Sequence, residues 1–442
     1  MLFVPASVPP SVSRPSTLRS LPFTALLPGL VVPVGVLLLG WPIAVVLGVF
    51  VLEVAAVVCW AVVKIPFAAR RPRNVIDGTD RLLGPLQTKR GALDLPGPFP
   101  PVYLRNVPTL LLVACFLAPL EIGVAFLVFA FTDPTITTPV VEQLLLGGVG
   151  VFLAEGVETA REYFVRGGYR DHSARSVALV PFKRLFGVGA LLFVAGPLQG
   201  AAVSGEVILA LLVGGKFLYD LRRVQVARDP EKRGLFYRLY GSAETEPEPV
   251  PVEVPPGDPV VRERPPRAAA LLDALYRGLT YTLTSSVLVV YLAAGFFLAY
   301  GATTVGLVFL GVAAVFAGIR AVSRYFRYGT VEYRGYDGTL VVYDRLLEEP
   351  QARLERTAVT DLEVTTDTVD RVFDTRTVRL GGMDDDDTPS FRMTVPDPEE
   401  LDGDDANANE SLSLVHVRDH RGLVDALGVG WRLDASSDPA SG

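Results

Sequence analysis

The 442-residue chain has little of the chemistry on which most enzymes rely. It contains 2 Cys and 3 His, too few for a disulfide framework or a metal centre built from these residues. Only 20% of its residues are charged, against about 25% in typical soluble domains, whereas 50% are hydrophobic and mean hydropathy is +0.37. We therefore exclude a soluble enzyme and expect a membrane protein without metal or other cofactor.

Eight apolar runs are long enough to cross a bilayer, because about 20 residues cover its ~30 Å hydrocarbon core. They are Phe23–Leu39, Pro42–Val63, Pro108–Phe131, Pro139–Phe164, Leu185–Ala202, Ser204–Leu221, Leu279–Tyr300 and Thr303–Ile319. The first run follows Arg14 and Arg19, as a signal peptide would. Only Gly40 and Trp41 separate it from the second run, so we expect it to be retained as a span.

Lys and Arg are confined to alternate loops between these spans. The segments after spans two, four, six and eight contain them, whereas the short loops after spans one, three, five and seven contain none. Because positively charged loops stay in the cytoplasm, the pattern predicts a multi-pass protein of the cell membrane. Both termini are predicted to be cytoplasmic.

The C-terminal quarter of the chain is strongly acidic. From Gly329 to Gly442 there are 26 Asp and Glu against 11 Arg and no Lys, a formal charge of −15, whereas the preceding residues carry +8. Of the 41 basic residues in the chain, 36 are Arg. Together these features indicate a halophilic archaeal source, although a GC-rich genome would explain the Arg excess equally well. An acidic soluble part also excludes nucleic acid as a partner, since phosphate would be repelled.

A proline-rich segment divides the chain, because 8 of the 23 residues from Glu244 to Pro266 are Pro. We predict a cytoplasmic N-terminal segment (1–22), a six-span domain (23–229), a cytoplasmic Pro/Glu-rich linker (230–267), a two-span hairpin (268–328), a cytoplasmic β domain (329–428) and a disordered tail (429–442). The fold predicted from these segments is an α-helical protein with eight transmembrane helices and a small C-terminal all-β domain.

Alternating apolar residues after the last span predict strands, with a favoured hairpin turn at Asp337-Gly338. Two stretches carry a resemblance: Tyr-Arg-Gly-Tyr-Asp-Gly-Thr-Leu-Val-Val from Tyr333, and Thr-Ala-Val-Thr-Asp-Leu-Glu-Val from Thr357. On these, Val331–Leu427 resembles the bacterial pleckstrin-homology-like (PH-like) domain. The resemblance implies a β-barrel capped by a helix, preceded by two spans, which binds a membrane surface or a protein. Because the domain is acidic, we expect protein partners rather than anionic lipid.

The N-terminal half resembles a widespread, uncharacterised six-span membrane domain over about residues 26–229. The stretches that carry this resemblance begin at Leu27 (Leu-Pro-Gly-Leu-Val-Val-Pro-Val-Gly), at Val51 (Val-Leu-Glu) and at Lys216 (Lys-Phe-Leu-Tyr-Asp). The resemblance implies six spans and draws attention to Glu53. It implies no activity.

A charge inside a membrane costs about 2.5–3.5 kcal/mol, and six of the charged residues inside the predicted spans form a candidate polar site. They are Glu53, Glu121, Glu155, Glu158, Lys216 and Asp220. Glu155 and Lys216 lie at similar depth, so we expect them to form a pair. The set is either a proton or cation site, or a group of polar side chains that holds the helices together.

Other conspicuous residues are assigned to structure rather than chemistry. Gly147, Gly148 and Gly150 are predicted to mark the points where helices touch. His416 ends a strand and is expected at the surface together with His420. We find no nucleophile elbow, phosphate-binding glycine loop or zinc-binding helix motif, and so predict no catalytic residues.

Three functions remain open. The preferred one is a non-enzymatic membrane protein whose PH-like domain organises protein partners at the inner membrane face. The second is an ion- or proton-coupled transporter that uses the buried glutamates, although the six spans lack the internal repeat of many transporters. The third is an intramembrane enzyme. The sequence leaves the oligomeric state open.

Overall fold

The computed structural model describes residues 27–72, 86, 89–117, 120–124, 137–200, 204–228, 245–246, 251–381 and 411–431. The chain divides into two compact units. The first comprises Met1–Trp60, Glu121–Arg166 and Pro181–Ser242, and the second comprises Ala61–Leu120, Gly167–Val180 and Ala243–Gly442. The predicted N-terminal segment 1–22 and the tail after Trp431 lie outside the described residues.

The N-terminal half is helical. Its helices are α1 (Leu27–Leu39), α2 (Ile43–Lys64), α3 (Val107–Leu112), α4 (Thr138–Glu158), α5 (Ala174–Gly200) and α6 (Gly205–Arg228). Helices α3 and α4 each carry Pro in the first turn, where no intrahelical N–H bond is lost and the ring presets a helical φ. Each then continues into a π-helical turn, Val113–Leu117 after α3 and Thr159–Val165 after α4.

Apolar helices long enough to cross a membrane are present in the described part of the chain. Four helices have both the length and the apolar composition needed to cross a membrane: Ile43–Phe67, Leu104–Val124, Thr138–Val165 and Thr303–Tyr328. Two shorter apolar helices, Pro28–Leu39 and Val287–Ala299, accompany them. The remaining long helices of this half, α5 and α6, carry buried charges. The protein is therefore membrane-embedded by composition, and eight spans remain a prediction.

A three-helix segment connects the two halves of the chain. It consists of α7 (Arg267–Tyr281), α8 (Ser285–Ala299) and α9 (Thr303–Tyr328). The predicted seventh span begins at Leu279, but the helix is interrupted after Tyr281 and begins again at Ser285. A separate helix α7 therefore precedes the apolar helix α8, and α7 packs along the arginine-rich end of α9.

The C-terminal part consists of two antiparallel sheets. The first contains β3 (Val261–Glu263), β4 (Val331–Tyr336), β5 (Thr339–Asp344) and β6 (Glu349–Glu355) in that order, and the second contains β7 (Asp361–Thr365), β8 (Arg376–Gly381) and β9 (Ser411–Val417). Two short helices, α10 (Thr368–Phe373) and α11 (His420–Ala426), accompany them. A separate two-residue ladder joins β1 (Arg71–Pro72) to β2 (Thr245–Glu246).

One hydrophobic core unites both sheets and α11. Tyr333 and Leu354 come from the first sheet, Val378 and Leu414 from the second, and Leu423 from α11, and all five are buried. The predicted hairpin turn is confirmed, because β4 and β5 pair on either side of Asp337-Gly338 and Gly338 has a φ of 74°. A positive φ is the conformation that glycine adopts without steric cost.

The strand β3 lies in the segment that sequence analysis assigns to a linker. Val261, Arg262 and Glu263 pair with Gly335, Arg334 and Tyr333 of β4. The side chain of Glu332, buried in the sheet, binds Arg264 at 2.6 Å and Arg334 at 2.8 Å. The sheet therefore includes residues from before the α8–α9 hairpin as well as after it. The first sheet therefore begins before residue 329, where the predicted β domain 329–428 starts.

Substitution of Gly278 tests the packing of α7 on α9. A Cβ at Gly278 would lie 2.6 Å from the carbonyl oxygen of Ala317 and 2.9 Å from Cβ of Ala321. We expect Gly278→Ala to destabilise the protein by about 1–3 kcal/mol, because the two backbones must separate. Thermal unfolding of the purified full-length chain measures this effect.

The matched control is Gly318→Ala in α9, where an added Cβ meets nothing within 4 Å. Alanine is the better helix former by roughly 0.5–1 kcal/mol, so this variant should be as stable as the parent protein or more stable. Equal unfolding temperatures for the two alanine variants would contradict the close packing of α7 on α9.

Candidate functional site

Four helices of the first unit bring five charged side chains together within the apolar helical region. Glu53 lies on α2, Glu155 on α4, Arg184 on α5, and Lys216 and Asp220 on α6. Each is buried, with at most 8% of its surface exposed. We name these five residues the intramembrane cluster.

Glu53 is the central residue of the intramembrane cluster. One oxygen of its carboxylate contacts Nη1 of Arg184, and the other lies 2.9 Å from Nζ of Lys216. Arg184 also binds Glu155, with 3.1 Å between Nη2 and Oε1. Lys216 also binds Asp220, which lies one turn further along α6. Each cation therefore joins two carboxylates, and Glu53 contacts both cations.

Close packing of α4 on α2 brings Glu155 near this cluster. A Cβ at Gly147 would lie 2.5 Å from Cγ2 of Val49, and one at Gly148 would lie 2.9 Å from Cδ1 of Leu52. Glycine at these positions lets the two helix backbones approach closely. The packing role predicted for Gly147 and Gly148 is confirmed.

The structure unites four of the six residues predicted for the polar site, namely Glu53, Glu155, Lys216 and Asp220. The contacts differ from the expected pairing of Glu155 with Lys216. The carboxylate of Glu155 binds Arg184, and Lys216 binds Glu53 and Asp220.

Arg184, which connects α2 and α4 to α5, is not among the residues predicted from the sequence. The predicted fifth span begins at Leu185, which leaves Arg184 in a loop, whereas α5 begins at Ala174. The available signal was a charge imbalance: the six residues predicted for the polar site are five carboxylates and one Lys. An unpaired buried carboxylate is costly, so a second cation was required.

The two other predicted residues are Glu121 and Glu158. Glu121 is on the helical segment 120–124, is 6% exposed, and has its carboxyl beside the backbone of Ala55 in α2. Its Oε1 atom is buried and has no hydrogen-bond partner among the described residues. Glu158 is the last residue of α4 and is half-buried, one turn beyond Glu155.

A second group of buried charges joins the helices of the second unit to its sheets. It comprises Asp273 and Arg277 of α7, Arg324 of α9, Asp370 of α10 and His416 of β9. All five are buried, with exposures of 0–5%. We name them the hairpin–sheet network.

Two aspartates hold His416 within the hairpin–sheet network. Its Nδ1 lies 2.7 Å from Oδ1 of Asp370, and its Nε2 lies 3.7 Å from Oδ2 of Asp273. Asp273 also binds Nε of Arg324 at 2.8 Å and Nε of Arg277 at 3.3 Å. Arg324 and Arg277 thus share a carboxylate with His416, which links α7 and α9 to β9.

The environment fixes the protonation of these groups. Burial alone would raise the pKa of Asp273, but Arg324, His416 and Arg277 outweigh it and lower that pKa well below the usual range. Burial likewise favours the neutral ring of His416, but the nearby carboxylates of Asp273 and Asp370, the latter at hydrogen-bond distance, outweigh it and raise the pKa of His416 to about 9. At neutral pH, His416 is therefore a cation between two carboxylates.

The prediction that His416 lies at the surface is wrong, since it is 0% exposed. Its backbone has a φ of 57°, a left-handed conformation that is uncommon outside glycine, at an irregularity in the pairing of β8 with β9. The side-chain contacts of His416 supply a reason for this conformation. The sequence signal was its alternate position after Leu412 and Leu414.

The segment that follows α2 also contacts the first sheet. Nζ of Lys89 lies 2.5 Å from Oδ2 of Asp344 and 3.0 Å from Oγ1 of Thr330, and it donates to the carbonyl oxygen of Phe326. Burial lowers the pKa of Lys89, although Asp344 opposes this effect. Next to it, Arg90 N–H donates to Oε1 of Gln351 at 2.8 Å. The sheet is thus anchored by residues from the N-terminal half of the chain.

Comparison with protein families agrees with this two-part architecture. The chain belongs to a family of unknown function (DUF6498), whose profile matches residues 13–234. The profile of the bacterial PH domain matches residues 287–403, a region that includes α8, α9 and strands β4 to β8. No curated protein and no solved structure matches the chain.

Removal of Arg184 tests the intramembrane cluster. Arg184→Met keeps much of the apolar volume but takes away the cation between Glu53 and Glu155. Loss of one partner from a buried ion pair costs about 3–5 kcal/mol, so we expect a large fall in the thermal stability of the full-length protein in detergent. Adding Glu155→Gln to this variant should restore part of the stability, because Glu155 loses its cation with Arg184 whereas Glu53 keeps Lys216.

The matched control is Arg166→Met. It breaks the 2.8 Å pair between Arg166 and Glu162, whose side chains are 44% and 28% exposed. Exposed pairs contribute less than about 1 kcal/mol. Similar melting temperatures for Arg166→Met and Arg184→Met would show that the cluster does not stabilise the helices.

Because the pKa of His416 is raised in the folded protein, we expect the protein to lose stability as the pH becomes alkaline. A histidine with an ordinary pKa of about 6.5 when unfolded and about 9 when folded stabilises the fold fully below pH 6.5. This contribution, up to about 3 kcal/mol, is lost as the pH rises through 9. We expect the melting temperature of the protein to fall between pH 7 and pH 9.5, and His416→Gln to abolish most of that fall.

His420→Gln serves as the control for this pH dependence. Burial and nearby arginines lower the pKa of His420, so its titration lies on the acid side of neutrality. A His420→Gln variant should therefore keep the alkaline decline of the parent protein. An alkaline decline that is the same in all three proteins would exclude His416 as its source.

Proposed function

We propose that the chain is a non-enzymatic protein of the cell membrane that holds its PH-like domain at a fixed position on the inner face, where the domain organises protein partners. The chain has both termini in the cytoplasm in this proposal, as the distribution of Lys and Arg requires. The observation that carries the proposal is the attachment of the sheets to the α7–α9 helices by several independent contacts.

Three features form this attachment. The chain leaves β3 at Glu263 and begins α7 at Arg267, and it enters β4 at Val331 only two residues after α9 ends. The hairpin–sheet network links α7 and α9 to β9 and α10. Lys89 adds a buried ion pair to Asp344. A domain held by so many contacts is suited to present a binding surface in a defined orientation.

Charge supports protein partners rather than lipid headgroups. The residues from Gly329 onward carry −15, and an anionic membrane surface attracts basic segments. At the end of the sheet nearest α9, Lys89 of the same chain already neutralises Asp344. The high density of carboxylates also supports a halophilic source.

The contacts of the intramembrane cluster support a structural role for its carboxylates. Glu53, Glu155 and Asp220 each have a cation within 3.1 Å, so each of these carboxylates already has a partner of opposite charge. Carriage of protons or cations would require these pairs to separate inside a medium of low dielectric constant.

Glu121 favours the second candidate function, an ion- or proton-coupled transporter. It is 6% exposed, and its Oε1 has no hydrogen-bond partner among the described residues. A buried carboxyl without a cation beside it can exist in neutral form and release a proton. Glu121 is thus a better candidate for transport than Glu53.

Complementation of a deletion strain distinguishes the two functions. We expect the Glu121→Gln variant, at normal abundance, to restore growth under envelope stress as well as the wild-type chain does. We expect a chain that ends at Tyr328 to fail to restore growth. Glu142→Gln, a change at an exposed residue of α4, is the matched control. Two results together would reject the proposed function and favour transport. The first is a stable Glu121→Gln variant that fails to complement, and the second is a proton flux into proteoliposomes that the wild-type chain shows and this variant lacks.

A further inference from the structure

Helix α7 has its charged and apolar faces reversed with respect to an ordinary surface helix. Its buried face, which contacts α9, contains small residues and the charged pair Asp273 and Arg277. Its opposite face is exposed and apolar. Leu271, Leu272, Leu275, Tyr276 and Leu279 on this face are 52%, 42%, 56%, 38% and 64% exposed. We name this surface the leucine face.

The leucine face continues the apolar surface of the α8–α9 hairpin. After the break at Tyr281, Leu283 is 60% exposed, and Leu288, Val289 and Leu292 of α8 follow with exposures of 45–66%. Helix α8 is joined by the short turn at Gly301 to α9, a helix long and apolar enough to span a bilayer. The environment that covers α8 therefore extends without interruption towards α7.

The contacts of α7 with α9 set its depth. Gly278 faces Ala317 and Ala321, where the apolar part of α9 ends, and Asp273 binds Arg324 one turn further on. Leu272 and Leu279 are seven residues apart, which corresponds to about 10 Å along a helix. That is on the order of the depth of one headgroup layer beside the ~30 Å hydrocarbon core, and Tyr276 is a residue type that is enriched in this layer.

We propose that α7 is an interfacial helix whose leucine face is inserted into the lipids of the inner leaflet. Lipid accounts for the exposed leucines and for the buried charges of α7, because acyl chains cover the leucines while Asp273 and Arg277 remain paired on the protein side. Only three residues separate β3 from Arg267, so insertion also holds β3 at the level of the headgroups. The acidic sheets remain outside the lipid.

Spin labelling of the full-length chain in lipid vesicles tests this placement. In a Cys59→Ala/Cys115→Ala background, single cysteines replace Leu272, Leu275 and Leu279 and carry a nitroxide. We expect each label to collide more often with oxygen, which dissolves in lipid, than with a water-soluble nickel complex. The preference should increase from position 272 to position 279, since the latter lies deeper.

The matched control is Val372→Cys on α10, a residue that is 67% exposed on the sheet side of the second unit. Its label should collide more often with nickel. Three results would overturn the proposal. A nickel preference at all three leucine positions would show exposure to water. Protection from both reagents would show a second copy of the chain if two copies of the Leu275→Cys variant crosslink, and coverage by another part of the same chain if they do not.

Discussion

A charge buried away from water is stable only beside a charge of opposite sign, and both units of this protein are built around that constraint. In the first unit, Glu53 lies between Arg184 and Lys216. In the second, Asp273 lies between Arg324 and His416. Lys216–Asp220 and Asp273–Arg277 are pairs within one helix. The other partners come from elements far apart in the chain, so those pairs form only when several helices or strands have come together. The ion pairs therefore specify which elements meet, in addition to the apolar contacts.

This constraint explains how a small acidic domain can be part of a membrane protein without being a loosely tethered module. The chain passes from β3 through the three helices α7 to α9 and returns to the same sheet at β4. Any movement of the sheet relative to the helices would separate His416 from Asp273 and Lys89 from Asp344. Such a movement would leave buried charges without partners, and the sheet is held in place for that reason. A fixed position is the property that the proposed organising function needs.

The buried glutamates differ from one another in whether a cation lies beside them. Glu53 and Glu155 share Arg184 and are suited to join helices. Glu121, in contrast, forms no ion pair within the described part of the chain, and its Oε1 is buried without a hydrogen-bond partner there. Glutamates in the predicted spans thus occupy two different chemical environments. Composition and position within a span do not distinguish these environments.

The sequence by itself determined the two-part architecture, the long apolar helices and the hairpin at Asp337-Gly338, because hydropathy, strand alternation and turn chemistry are local properties of the chain. It also identified four of the five residues of the intramembrane cluster, since a charge within an apolar run is visible without a structure. Only the tertiary structure decided the partners of those charges, the burial of His416 and the addition of β3 to the sheet. Each of these depends on which distant segment lies opposite, and Arg184 or Val261 carries no local pattern that specifies it.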